Sequence, residues 1–240
     1  MPFDPRPTQP AYTLRPQAAP YQVEGAERTF IASVYRWMTL GLLVTTGVAW
    51  VTADALVSGA VPFNKWIFYG LMLAEFGLVI AISAMVQRLS AAAAGGLFLL
   101  YSALNGATLS IVLLMYTGTS VALAFGVTAG TFGAMSLYGT VTKKDLTSWS
   151  SFLMMGLIGV VIASLVNMFL QSGAMSFVIS CAGVVVFTGL TAYDTQKLRV
   201  FARNGGGSVA AAPIAGALTL YLDFINLFLS LLRLFGDRRK

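Results

Sequence analysis

The acidic residues are where chemistry has to be sought in this 240-residue chain, which has no histidine and a single cysteine. Without an imidazole there is no histidine base, no histidine metal ligand and no ordinary pH switch near neutrality. Cys181 stands alone in an apolar run, so it closes no intrachain disulfide and reads as packing. Of the nine carboxylates, Asp4, Glu24 and Glu27 fall in an N-terminal segment, Asp54 and Asp145 in short polar breaks, and Asp237 near the C-terminal end. Only Glu75, Asp194 and Asp223 lie inside long apolar stretches. A carboxylate placed there costs on the order of 2.5–3.5 kcal/mol or more, so it calls for a use or a partner.

Asp194 sits in Thr191-Ala-Tyr-Asp-Thr-Gln-Lys-Leu198 and Asp223 in Leu220-Tyr-Leu-Asp-Phe-Ile-Asn-Leu-Phe228. If these segments are consecutive antiparallel helices, the two aspartates meet at similar depth, Asp223 being ~15 Å from its helix start at 1.5 Å per residue. Two carboxyls within hydrogen-bond reach do not both ionise; they share a proton and titrate as a pair. Such a pair is a proton-sensitive gate made without histidine. With Asn226 one turn along, the same oxygens suit a hard cation, which makes Asp194 and Asp223 candidate Ca²⁺ ligands as well. The plainer alternative for Asp194 is a cap or a snorkelling contact at the interface. Glu75 is a candidate for an ion pathway, or else for one interhelical hydrogen bond. Arg88, thirteen residues further on, either pairs with the aspartates or anchors its loop.

No other constellation carries chemistry. There is no phosphate-binding glycine loop, no Cys-x-x-Cys and no Gly-x-Ser-x-Gly. Two membrane aspartates could serve an intramembrane protease, but the Gly-Asp context usual there is replaced by Tyr193 and Leu222 before the two residues. The expectation is a protein without catalytic residues and without an organic cofactor.

The elements that must position these groups follow from hydropathy. The chain is 57% hydrophobic and only 10% charged, whereas a soluble domain carries about 25% charged residues. A bilayer removes the need for polar surface. A spanning helix needs ~20 mostly apolar residues, and seven segments qualify: roughly 32–53, 66–86, 91–116, 120–141, 149–170, 175–196 and 213–235. The breaks between them are short, which predicts antiparallel neighbours in an all-α, seven-helix bundle spanning residues 28–240. Residues 1–27, which hold six of the eight prolines, read as a disordered cytosolic tail. The net charge of +6 comes from basic residues gathered in the tail and alternate loops, which anchors those loops and the N-terminus in the cytosol and does not point to nucleic acid. Seven spans then export the C-terminus despite Arg233, Arg238, Arg239 and Lys240; a re-entrant last segment is the alternative. The pair Gly126 and Gly130 at four-residue spacing predicts close helix packing.

Several of these stretches together resemble the Bax inhibitor (transmembrane Bax inhibitor motif) family, in its bacterial inner-membrane branch. They are Tyr35-Arg-Trp-Met-Thr-x-Gly-Leu42, Ser136-Leu-Tyr-Gly139 with Thr142-Lys-Lys-Asp-Leu146, Thr188 to Leu198, Gly216 to Phe228, and Leu231-Leu-Arg-Leu-Phe-Gly236. The resemblance covers residues 30–240. It implies a seven-helix bundle with the last helix central, and two aspartates forming a pH-sensitive dyad that gates a Ca²⁺ leak; Asp194 and Asp223 occupy those motif positions. In some bacterial members an arginine cluster closing the second helix pairs with the dyad, and here it is reduced to Arg88. Other members bind and restrain a membrane-embedded AAA protease, which leaves a non-conducting modulator as the second functional expectation.

Overall fold

The computed structural model describes residues 20–239. It is a bundle of seven helices: α1 (Pro20–Val57), α2 (Lys65–Met85), α3 (Ala91–Met115), α4 (Gly118–Val141), α5 (Ser150–Leu170), α6 (Gly173–Arg203) and α7 (Ala212–Phe235). All seven are long and apolar enough to cross a membrane. Four of the six breaks can be short because one polar side chain starts the next helix. Asn64, Ser90, Thr117 and Ser172 each accept a backbone N–H in the first turn of α2, α3, α4 and α6, which satisfies donors that no carbonyl reaches. Pro213 occupies the first turn of α7, where its missing N–H costs nothing.

The crossings alternate in direction. Residues beyond α7 return to the α3–α4 turn: Thr117 N donates to the Asp237 carbonyl and Arg239 N to that of Met115, both at 3.0 Å. The chain therefore ends on the bilayer face opposite the start of α1. The last segment crosses fully and does not re-enter.

The layers follow from which faces are apolar and which are small. α7 packs against α1, α2, α3, α4 and α6 and carries the largest set of buried residues. Its consecutive side chains, stepping ~100° per residue, address different neighbours. Tyr221 meets the rings of Phe98 and Tyr101 on α3 edge-on, with centroids 5.7 Å away in both cases. Phe224 meets Phe125 and Phe132 on α4, both at 5.5 Å. Asp223, between them, is left to α6. Edge-to-face ring pairs fix the rotation of a helix more narrowly than aliphatic packing does, so the aromatic flanks set where Asp223 points. At the opposite extreme, α2 and α5 bury one residue each, Ile82 and Leu153. Apart from Glu75 on the face of α2 that meets α3, and Lys65 at its start, their spans are almost wholly apolar, as faces that meet lipid tails must be.

Three expectations change. The first helix begins at Pro20, so residues 20–27 are not a tail; residues 1–19 lie outside the described residues. Glu27 is buried and takes ion pairs from Arg199 and Arg203 of α6, while Arg199 Nη1 also donates to the Thr140 carbonyl at the end of α4. A bilayer-length window stops where the lipid stops, but a helix can continue into the headgroup layer when its next turn finds partners. α6 continues to Arg203 for the same reason. The pair Gly126 and Gly130 does not mediate close packing: a Cβ at either would meet nothing within 4 Å. The close approach on α4 is at Gly139, whose absent Cβ leaves room for the Ala192 carbonyl of α6.

Candidate functional site

Asp194 and Asp223 come together. Both are buried, at 8% and 4% exposure, and their carboxyl groups face one another at close range across the α6–α7 interface. Asp223 Oδ2 has no donor among the described residues. A buried carboxylate oxygen facing another carboxyl is satisfied when one proton lies between them. The nearest cation is Lys197, one turn along α6; it is exposed, with its Nζ 5.7 Å from the Tyr193 ring. It makes no ion pair with either aspartate. Thr195, next to Asp194 on α6, and Ser136 on α4 are likewise buried, with hydroxyls that have no partner among the described residues. Polar atoms in that state mark places where water belongs.

Gln196, two residues after Asp194, holds the edge of this region next to the α4–α5 connection. Its Oε1 accepts from Leu146 N and its Nε2 donates to the Lys144 carbonyl, both at 2.9 Å. The α4–α5 connection is thereby tied to the helix that carries Asp194.

Glu75 is half-buried in the middle of α2 and does not reach the dyad. It opens a chain of hydrogen bonds through four helices. Asn105 Nδ2 and Thr108 Oγ1 of α3 donate to its two oxygens at 3.0 and 2.8 Å. Tyr221 of α7 donates from its hydroxyl to Asn105 Oδ1 at 2.9 Å. That hydroxyl also lies 2.6 Å from Thr45 Oγ1 of α1, which donates to the Ser102 carbonyl at 2.9 Å. Two hydroxyl protons serve three contacts, so the chain can shift its donors without moving an atom heavier than hydrogen. Tyr221 stands two residues before Asp223, which makes this chain a second brace on the same turn of α7.

The other candidates are elsewhere. Arg88 is exposed in the turn after α2, and its side chain has no hydrogen bond or ion pair among the described residues. Asn226 spends its Nδ2 on the Leu222 carbonyl of its own helix at 2.8 Å and lines a groove between helices. For Ca²⁺ the arithmetic is short. Two carboxyls offer at most four oxygens, about half to two-thirds of the six to eight that Ca²⁺ takes in a resident site, and no third acidic group joins them among the described residues. A cation at the dyad would keep part of its water shell, as an ion in passage does. Missed in the sequence were Tyr221, Asn105, Thr45 and Glu27. The one available signal was Asn105, a lone amide within an apolar span.

The family model described as "Inhibitor of apoptosis-promoting Bax1" matches residues 27–240. The chain is 52% identical over 217 residues to inner membrane protein YbhL of Escherichia coli strain K12, covering 88% of this chain and 93% of that one. It is 47% identical over 214 residues to an uncharacterized protein of Borreliella burgdorferi, covering 88% and 92%. With an uncharacterized protein of Caulobacter vibrioides it shares 41% identity over 245 aligned positions, covering 96% and 97%. A match over nearly the whole helical bundle makes this chain a membrane protein of the Bax inhibitor family.

Proposed function

We propose that this protein is a proton-regulated cation leak of the bacterial inner membrane, with Ca²⁺ as cargo and the Asp194–Asp223 pair as its gate. The observation that carries the reading is the buried, donorless Oδ2 of Asp223 set against the carboxyl of Asp194 across a helix interface. With one proton between them, the carboxyls hold α6 and α7 together. Without it, two like charges face one another in a low dielectric and repel. Separation at that point frees the turn of α6 where the neighbouring Thr195 hydroxyl also lacks a partner, and it leaves carboxylate oxygens to receive a partly hydrated cation. The sign is fixed by this mechanism: acid closes the gate and alkali opens it.

The inner-membrane assignment rests on the relative named for that location together with the seven spans. The test is Ca²⁺ entry into liposomes that contain the purified full-length chain and an internal Ca²⁺ dye. Entry above the protein-free level, rising from mildly acidic to mildly alkaline pH, supports the leak. No entry at any pH rejects it and returns the dyad to a purely structural part.

A further inference from the structure

A groove of about 510 Å³ opens between α2 and α5, with α6 and α7 as its floor. It exists because α2 and α5 do not pack on one another. Its walls are apolar side chains such as Met72, Val161 and Leu165, which are also exposed outward. Its one charged residue and two of its polar residues stand at one end. Asn167 lies in the last turns of α5, Ser176 in the first turn of α6 and Arg233 in the last turn of α7. All three stand at the bilayer face where the chain ends.

Arg233 is exposed in the groove and has no ion pair or hydrogen bond among the described residues. No neighbour is placed to neutralise it. The one carboxylate of α2, Glu75, is engaged by Asn105 and Thr108 of α3. α5 carries no charged residue, the charges of α6 lie towards its other end, and Asp223 of α7 faces Asp194. An unpaired guanidinium in the outer turn of a spanning helix calls for an anion. The groove is not a cation vestibule, since its only lining charge is positive and would repel the ion. A soluble anion could meet the guanidinium but would leave the exposed apolar walls without an occupant.

We propose that this groove binds a bilayer phospholipid, with the phosphate on Arg233 and an acyl chain laid between α2 and α5. Arginine meets phosphate through paired N–H donors, and the chain fills the space that two unpartnered apolar helices leave. The proposal stands apart from the gating mechanism, because neither aspartate lines the groove.

The experiment uses the full-length chain in phosphatidylcholine liposomes with trace spin-labelled phosphatidylglycerol or spin-labelled diacylglycerol. The readout is the motionally restricted fraction in the electron spin resonance spectrum. Phosphatidylglycerol should be restricted in preference to diacylglycerol. Arg233→Gln should weaken the phosphatidylglycerol association by about fivefold, the loss of one basic contact near the headgroups. Arg233→Lys should keep most of it. Val161→Trp, which fills the groove from an exposed position, should lower it with the arginine intact. Equal restriction of the two probes in the wild type, or an unchanged preference in Arg233→Gln, would overturn the site. Displacement of the lipid by millimolar-range inorganic phosphate would overturn the lipid as its occupant.

Discussion

Replacing Tyr221 by Phe removes one oxygen from the centre of the bundle and leaves the ring. The ring contacts with Phe98 and Tyr101, 5.7 Å between centroids, should survive, so the whole effect falls on the hydroxyl. Thr45 keeps a partner, because its proton can go to the Ser102 carbonyl 2.9 Å away. Asn105 Oδ1 does not; its donor was Tyr221. Interhelical hydrogen bonds in membranes average about 0.6 kcal/mol with a maximum near 1.7. A buried acceptor left without a donor costs about 1–3 kcal/mol. The two figures describe overlapping losses, so the expected destabilisation is about 1–3 kcal/mol in total. Asn105→Ala should cost more, since it also takes a donor from Glu75. The double variant should cost less than the sum by about 0.5–1.7 kcal/mol, the coupling through the shared bond. Equilibrium unfolding in lipid–detergent micelles, followed by tryptophan fluorescence, measures all three. A Tyr221→Phe protein within about 0.3 kcal/mol of wild type, or strict additivity with Asn105→Ala, would show that the chain of hydrogen bonds contributes nothing to holding α7.

Three further outcomes follow from the packing. Gly139→Ala should destabilise by about 1–3 kcal/mol or more, because its Cβ would meet a backbone carbonyl that has no rotamer to yield. Gly130→Ala, which faces open space, should be within about 0.5 kcal/mol of wild type, and thermal melting of the two side by side decides. Glu27→Gln should cost about 1–3 kcal/mol, less than a fully buried pair because Arg203 is half exposed; the same unfolding assay checks it, with the loss shrinking in high salt. Reporters fused after Lys240 and in the α5–α6 turn should report the same side, and one at Lys143 the other.

The aspartates were legible because charge is rare inside a bilayer and each instance can be examined alone. Their pairing was legible because consecutive helices are antiparallel and the two residues lie at similar depth. The Glu75 chain was not legible. Thr45, Ser102, Asn105, Thr108 and Tyr221 are neutral, lie on three helices, and share no spacing that a single strand of sequence could reveal. Small residues mislead in a related way. The Gly126 and Gly130 spacing marks a smooth face of α4, but which face meets a neighbour depends on where α6 and α7 lie. The glycine that matters, Gly139, stands off that row and inside Ser-Leu-Tyr-Gly. Glu27 was hidden by its nearness to prolines; its partners are more than 170 residues away in sequence, and only the fold brings α6 beside the start of α1. The groove was invisible for a further reason. It is made by two helices that fail to meet, and hydropathy cannot distinguish an apolar face against lipid from one beside a gap.

The gate works only if the dyad acts as one titrating unit. The most direct measurement is the pH profile of Ca²⁺ entry into proteoliposomes for wild type, Asp194→Asn, Asp223→Asn and the double variant. If the carboxyls share a proton that locks α6 to α7, each single substitution abolishes the pH dependence, and the double variant differs little from either, because the unit is already gone. A full pH dependence retained in both single variants would contradict the account and would move the sensor to Glu75, the remaining carboxylate within the spans.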